Sequence, residues 1–221
     1  RSSYATGLDT LYFKEKAKKD VQIPLTLNGN TFTGIEGAEQ GTDYTYVEKT
    51  AVVTLKKEFI NQAYDSLAKN ATGTFADLTF TFSGGAPWHQ YLVKHGDVTV
   101  GSASGTTEKG MQVPITWQGS RVRRVSAYAA GGKVGPQSGW WNYLQYQEVF
   151  SPDYEQGMFE VTKNFFADDT VKGKDGLIRF VIELFDGSST DLWLKVSGEK
   201  VTSKKSLEKK PAVTAVNVKA G

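Results

Sequence analysis

Val21, Ile23, Leu25 and Leu27 alternate with Gln22, Pro24, Thr26 and Asn28, and the turn residues Asn28-Gly29-Asn30 follow at once. A period of two sends one set of side chains to a buried face and the other to water, so this segment reads as a half-buried strand. Pro24 cannot donate to a ladder, which places the strand at an edge or a bulge. The alternation returns in Leu78, Phe80 and Phe82 against Thr79 and Thr81, with Gly84-Gly85-Ala86-Pro87 closing it. Further strands are expected at residues 52–55, 122–128, 141–149, 159–161, 177–185 and 192–196, with Gly, Asp and Pro turns between them. Many short strands with frequent turns specify an all-β chain of β-sandwich type. One helix interrupts the series, because Phe59, Ile60, Ala63, Tyr64 and Leu67 recur at helical spacing before Asn70 and Gly73.

Twelve Phe, ten Tyr, five Trp and 23 Gly suit that reading, since aromatic residues favour strands and Gly favours turns. A chain of 221 residues allows one large domain or two small ones. Residues 95–110 are rich in Gly, Ser and Thr, which reads as a junction. Beyond it, Val113-Pro114-Ile115-Thr116-Trp117-Gln118-Gly119 echoes Ile23-Pro24-Leu25-Thr26-Leu27-Asn28-Gly29 at an offset of 90 residues, read from position 23 to position 113. The expected division is residues 1–104 as one β-sandwich module, 105–205 as a second, and 206–221 as a basic tail that could add a last strand at 213–218.

Composition also removes several function classes. With 26 Lys and Arg against 24 Asp and Glu, the net charge of +2 offers nothing to a nucleic acid or an anionic membrane. No cysteine is present, so disulfides, thiolate nucleophiles and thiolate metal sites are excluded. No run of about 18 apolar residues exists to span a membrane as a helix. The opening Arg1-Ser2-Ser3-Tyr4 carries no signal-peptide pattern and no initiator Met, as expected of a piece of a longer chain. His89 and His95 lack the spacing of a metal site or a Ser-containing elbow. Glycoside hydrolysis needs two carboxylates across a cleft, but Asp168-Asp169, Asp175 and Asp186 stand at turns, where turn chemistry accounts for them. No catalytic residue and no cofactor is expected.

Binding chemistry remains. A flat apolar face ringed by hydroxyls is held by Trp or Tyr rings against the face and amides or carboxylates at its edge. Trp140-Trp141 follows a polar, glycine-rich loop ill suited to burying two indoles, and adjacent strand residues point to opposite faces, so one of the pair is expected in solvent. Which one is left open. Tyr143 and Gln145 follow and supply a phenol and an amide. Trp193 shares a face with Asp191, Lys195 and Ser197, opposite the buried stripe Leu192, Leu194 and Val196. It either meets ligand or packs against the tail or the neighbouring module. Trp117 and Trp88 are expected to be structural, and Phe32, Phe59, Phe80 and Phe82 to be core.

Several segments carry a resemblance. Leu25-Thr26-Leu27-Asn28-Gly29-Asn30, Gly41-Thr42-Asp43-Tyr44, Lys57-Glu58-Phe59 and Leu78-Thr79-Phe80-Thr81-Phe82-Ser83-Gly84-Gly85 resemble the X-type immunoglobulin-like module of bacterial cellulases. Val113-Pro114-Ile115-Thr116-Trp117-Gln118-Gly119, Gly139-Trp140-Trp141-Asn142-Tyr143-Leu144 and Asp175-Gly176-Leu177-Ile178 resemble carbohydrate-binding module family 46. In that order the two are similar to the C-terminal region of bacterial family 5 endoglucanases. The resemblance implies two tandem immunoglobulin-like β-sandwich modules, with a catalytic domain preceding Arg1 as partner in a secreted, extracellular protein. It also implies a non-catalytic arm that binds β-glucan polysaccharide, such as mixed-linkage glucan, xyloglucan or amorphous cellulose. The alternative is a spacer or interaction module without sugar binding of its own.

Overall fold

The computed structural model describes residues 1–139 and 142–204. The chain divides into two compact units, Arg1–Gly96 and Asp97–Gly221. The first contains β1 (Tyr4–Ala5), β2 (Thr10–Phe13), β3 (Val21–Thr26), β4 (Phe32–Ile35), β5 (Tyr44–Val47), β6 (Val52–Leu55), α1 (Lys57–Tyr64), β7 (Gly73–Phe82) and β8 (Trp88–Lys94). Two four-stranded sheets, ordered β1-β3-β6-β5 and β2-β8-β7-β4, face each other. Their inward residues Ile23, Leu25, Val53, Leu55, Phe80 and Leu92 make one core, and Phe32, Phe59 and Phe82 pack against it. All pairings are antiparallel except β2 with β8.

The second unit contains β9 (Thr99–Val100), β10 (Ala103–Thr106), β11 (Met111–Thr116), β12 (Val122–Ala129), β13 (Gly132–Lys133), β14 (Phe150–Asp153), β15 (Met158–Val161), α2 (Lys163–Ala167), β16 (Gly176–Leu184), β17 (Ser189–Ser197) and β18 (Lys200–Lys204). A four-stranded sheet β14-β15-β11-β9 packs on a six-stranded sheet β10-β18-β17-β16-β12-β13. Phe150 stacks on Phe159 at 5.7 Å, and Phe165 meets Phe180 at 4.8 Å, so the centre of this core is aromatic. Trp117 is buried, with its indole N–H donating to the Asp153 carbonyl at 3.1 Å, and Trp88 donates to the buried Gln90 side chain at 3.0 Å. Both hold structural positions, as expected.

The 90-residue echo is architectural. Strand β3 begins at Val21 and β11 at Met111, and each enters the same turn. Asn28 and Gly29 have φ of 52° and 89°, while Gln118 and Gly119 have 51° and 80°. Two successive positive φ values define a type I′ turn, closed by Asn30 N–H to the Leu27 carbonyl and by Ser120 N–H to the Trp117 carbonyl. The order β1-β3-β6-β5 is repeated by β9-β11-β15-β14, and a helix follows the third strand of each.

Three local readings are corrected. Strand β3 is not at an edge, but β1 covers only its Leu25 and Thr26, so no ladder donor is missed at Pro24. Among the described residues of 141–149 there is no strand, because Asn142 and Gln147 take φ of 62° and 71° and break the extended run. A second helix, α2, buries the adjacent rings Phe165 and Phe166. The helix of the first unit ends at Tyr64, and its first free amide, Lys57 N–H, is capped by the Asp20 carboxylate at 2.9 Å.

One buried group predicts an alkaline weakness. The Tyr46 hydroxyl has no hydrogen-bond partner among the described residues while its ring packs on Phe32 at 4.7 Å. Burial, with a smaller push from the Glu48 carboxylate, raises its pKa above the ordinary value of 10. A pKa raised on folding gives stability that is present below the unfolded value and lost as pH rises through the folded one. Tyr46→Phe should therefore stabilise the protein by about 1 kcal/mol at neutral pH, by removing an unsatisfied hydroxyl. It should also flatten the loss above about pH 10. Thermal midpoints of both proteins on either side of that pH check this, and parallel pH curves would refute it.

Candidate functional site

The strand β12 of the six-stranded sheet has an irregular register between Val122 and Arg124. Arg123 and Arg124 consequently line the same cavity, of about 420 Å³, where regular alternation would have sent them to opposite faces. Ser138, Leu144, Gln145, Tyr146 and the buried Phe150 also line it. Tyr146 is 59% exposed at its mouth, with its ring edge-on to Phe150 at 5.8 Å.

The segment around this cavity is held by the edge of β12. Leu144 N–H donates to the Val125 carbonyl at 2.9 Å, and Ser138 N–H donates to the Tyr143 carbonyl at 2.9 Å. Gln137 bridges to Leu144. Lys133 Nζ donates to the Asn142 carbonyl at 3.0 Å. Tyr143 is half-buried, and two cations lie over its ring: the Arg124 guanidinium 4.5 Å from the ring centre and the Lys133 ammonium 5.2 Å. Arg124 Nε lies 3.1 Å from Glu183 Oε1, yet its N–H is not aligned on that oxygen, so the contact is an ion pair without a hydrogen bond.

The predicted site residues thus fall in two places. Tyr143 and Gln145 flank the cavity segment. Trp193 lies on the outer face of the six-stranded sheet, half-buried, with Leu192, Leu194 and Val196 inward. Trp140 and Trp141 lie outside the described residues. Tyr128 and Arg179, not singled out in the sequence, stand in register with Trp193 across β12, β16 and β17. Arg179 Nε donates to Asp191 Oδ2 at 3.0 Å on the same face. Their alternation with the inward Ala127, Ile178 and Phe180 was available as a signal, but the strand pairing that aligns them was not.

Residues 9–92 match the family Carbohydrate binding domain X2, and residues 96–204 match the family Carbohydrate binding domain, CBM46. The chain thus carries one match to each of these two carbohydrate-binding families, the first followed directly by the second. A curated relative, Endoglucanase B of Paenibacillus lautus, is 29% identical over 208 residues, covering 91% of this chain and 35% of the relative. The carbohydrate-binding pair therefore spans about a third of the curated relative it matches. A solved trimodular endoglucanase of glycoside hydrolase family 5, subfamily 4, is 27% identical at a TM-score of 0.80, over 92% of this chain and 37% of that one. The tri-modular endo-β-1,4-glucanase B from Bacillus halodurans shares the fold, at 24% identity and a TM-score of 0.81 over 94% of this chain and 38% of that one. The two modules are homologous to the non-catalytic C-terminal region of family 5 endoglucanases.

Proposed function

We propose that this chain is the carbohydrate-binding arm of a secreted endo-β-1,4-glucanase, and that it helps the catalytic domain engage mixed-linkage glucan, xyloglucan or amorphous cellulose. The observation that supports it best is the segment beside β12, where Gln145, Tyr146 and two arginines line one cavity and Tyr143 stacks under one of those arginines, all close in sequence to Trp140-Trp141. Indoles would take the flat C–H face of a sugar, and the Gln145 amide and arginine donors its hydroxyls. One or two stacked rings and a few wet hydrogen bonds correspond to a Kd of roughly 10 μM to 1 mM. Tethering such a weak module to the enzyme raises the local concentration of substrate without adding chemistry.

Affinity electrophoresis in gels containing mixed-linkage glucan, xyloglucan or no polysaccharide tests this directly. The protein should be retarded by at least one β-glucan, and Trp140→Ala or Trp141→Ala should remove the retardation while circular dichroism stays unchanged. Migration of the wild type at the same rate in all gels would overturn independent binding and leave a spacer.

A further inference from the structure

The outer face of the six-stranded sheet carries an ordered row that the cavity segment does not use. Tyr128 on β12 pairs with Arg179 on β16, and Arg179 pairs with Trp193 on β17. All three alternate with core residues, so their side chains leave the same face, and all three are half-buried. Tyr128 and Trp193 stand two strands apart, a spacing of ~10 Å. Between them Arg179 is tied to Asp191 through Nε and Oδ2, which leaves the guanidinium Nη groups and Asp191 Oδ1 able to meet hydroxyls. The row therefore alternates ring, paired charge, ring, perpendicular to the strands.

We propose that this row is a second glucan-binding site, in which a contiguous β-1,4-linked chain crosses the strands with two of its sugars on Tyr128 and Trp193. Successive residues of a β-1,4-glucan turn opposite faces, so the same face recurs every second sugar, and that two-sugar repeat matches the two-strand spacing of the rings. The intervening sugar lies over the Arg179–Asp191 pair, whose donors and acceptors suit equatorial hydroxyls. A β-1,3 linkage bends the chain and breaks this match. Neighbouring strands are rotated by about 20–25°, so the two ring positions are turned relative to each other. That twist fits a single soluble chain better than the flat face of a crystal. The site rests on the carbohydrate-binding reading above, but on different residues.

Isothermal titration of the whole chain with cellohexaose and with laminarihexaose, its β-1,3 counterpart, tests the proposal. The wild type should prefer cellohexaose. Trp193→Ala and Tyr128→Ala should each weaken cellohexaose binding about tenfold and erase that preference. Trp193→Phe, which keeps a ring, should retain most of the affinity. Thermal midpoints report whether each variant is folded, and Tyr128→Ala decides the matter if Trp193→Ala is not. The proposal is overturned if folded Trp193→Ala or Tyr128→Ala binds like the wild type, or if laminarihexaose binds as well as cellohexaose. In that event a loss of binding in Trp140→Ala or Trp141→Ala would leave the general reading standing, whereas no binding by the wild type would end both.

Discussion

Gly135→Ala should cost the second unit about 2–5 kcal/mol and weaken the proposed glucan binding with it. Gly135 has φ of +94°, a backbone region that an L side chain rarely adopts. A Cβ there would lie 2.7 Å from Phe165 Cε1 and 2.8 Å from Leu144 Cδ2, and neither neighbour can yield. Phe165 is fully buried and held against Phe180 and Phe166, while Leu144 is anchored to β12 through its N–H bond to Val125. Relief must come from the backbone. The chain would shift at Gly135, whose N–H donates to Thr170 Oγ1 at 2.7 Å, or at Leu144, which leads into the cavity segment. Tyr143 and Gln145 adjoin Leu144 on either side, so stability and binding should fall together. Gly131→Ala is the control, since nothing lies within 4 Å of its Cβ position and the residue is exposed. If Gly135→Ala matched this control in thermal midpoint and in gel retardation, the packing argument would fail.

Much of this architecture is legible in the sequence because strands write a local signal. The stripe Leu192, Leu194 and Val196 correctly sends Trp193 outward, and Asn28-Gly29 marks a turn whose geometry the structure repeats at Gln118-Gly119. The second of these is harder to read, since Gln118 has no intrinsic preference for positive φ. The same difficulty hides the loop at 142–149, where aromatic and amide residues look like a strand and Gln147 nevertheless turns left-handed. Helix α2 is missed because five residues give too short a window for a 3.6-residue period. The cavity and the row on the outer face are non-local. Arg124 meets Tyr143 across 19 positions of sequence, counted from 124 to 143, and Tyr128 meets Trp193 only through two registers. No window along the chain contains those pairings, whereas the types of residue suited to sugar binding were visible from composition and motif.

Phe180→Ala should give the largest loss of stability without touching either proposed binding surface. Phe180 is fully buried in β16, with its ring 4.8 Å from Phe165 and 6.5 Å from Phe159, and the facing sheet cannot collapse into the space of a lost phenyl ring. Such truncations cost about 3–5 kcal/mol, a large part of the 5–15 kcal/mol that holds a domain together. For a unit of this size that corresponds to a fall in thermal midpoint on the order of 15 °C. The neighbouring Arg179 points the other way, into the row with Trp193 and Tyr128, because adjacent strand residues take opposite faces. Affinity per folded molecule should therefore stay within about twofold of the wild type when measured well below the new midpoint. Trp193→Ala should show the reverse pattern, with an unchanged midpoint and weakened binding. Thermal scans paired with titrations of both variants separate the two roles of the sheet. A Phe180→Ala protein that stays folded yet binds more weakly than Trp193→Ala would mean that the inner and outer faces are not independent.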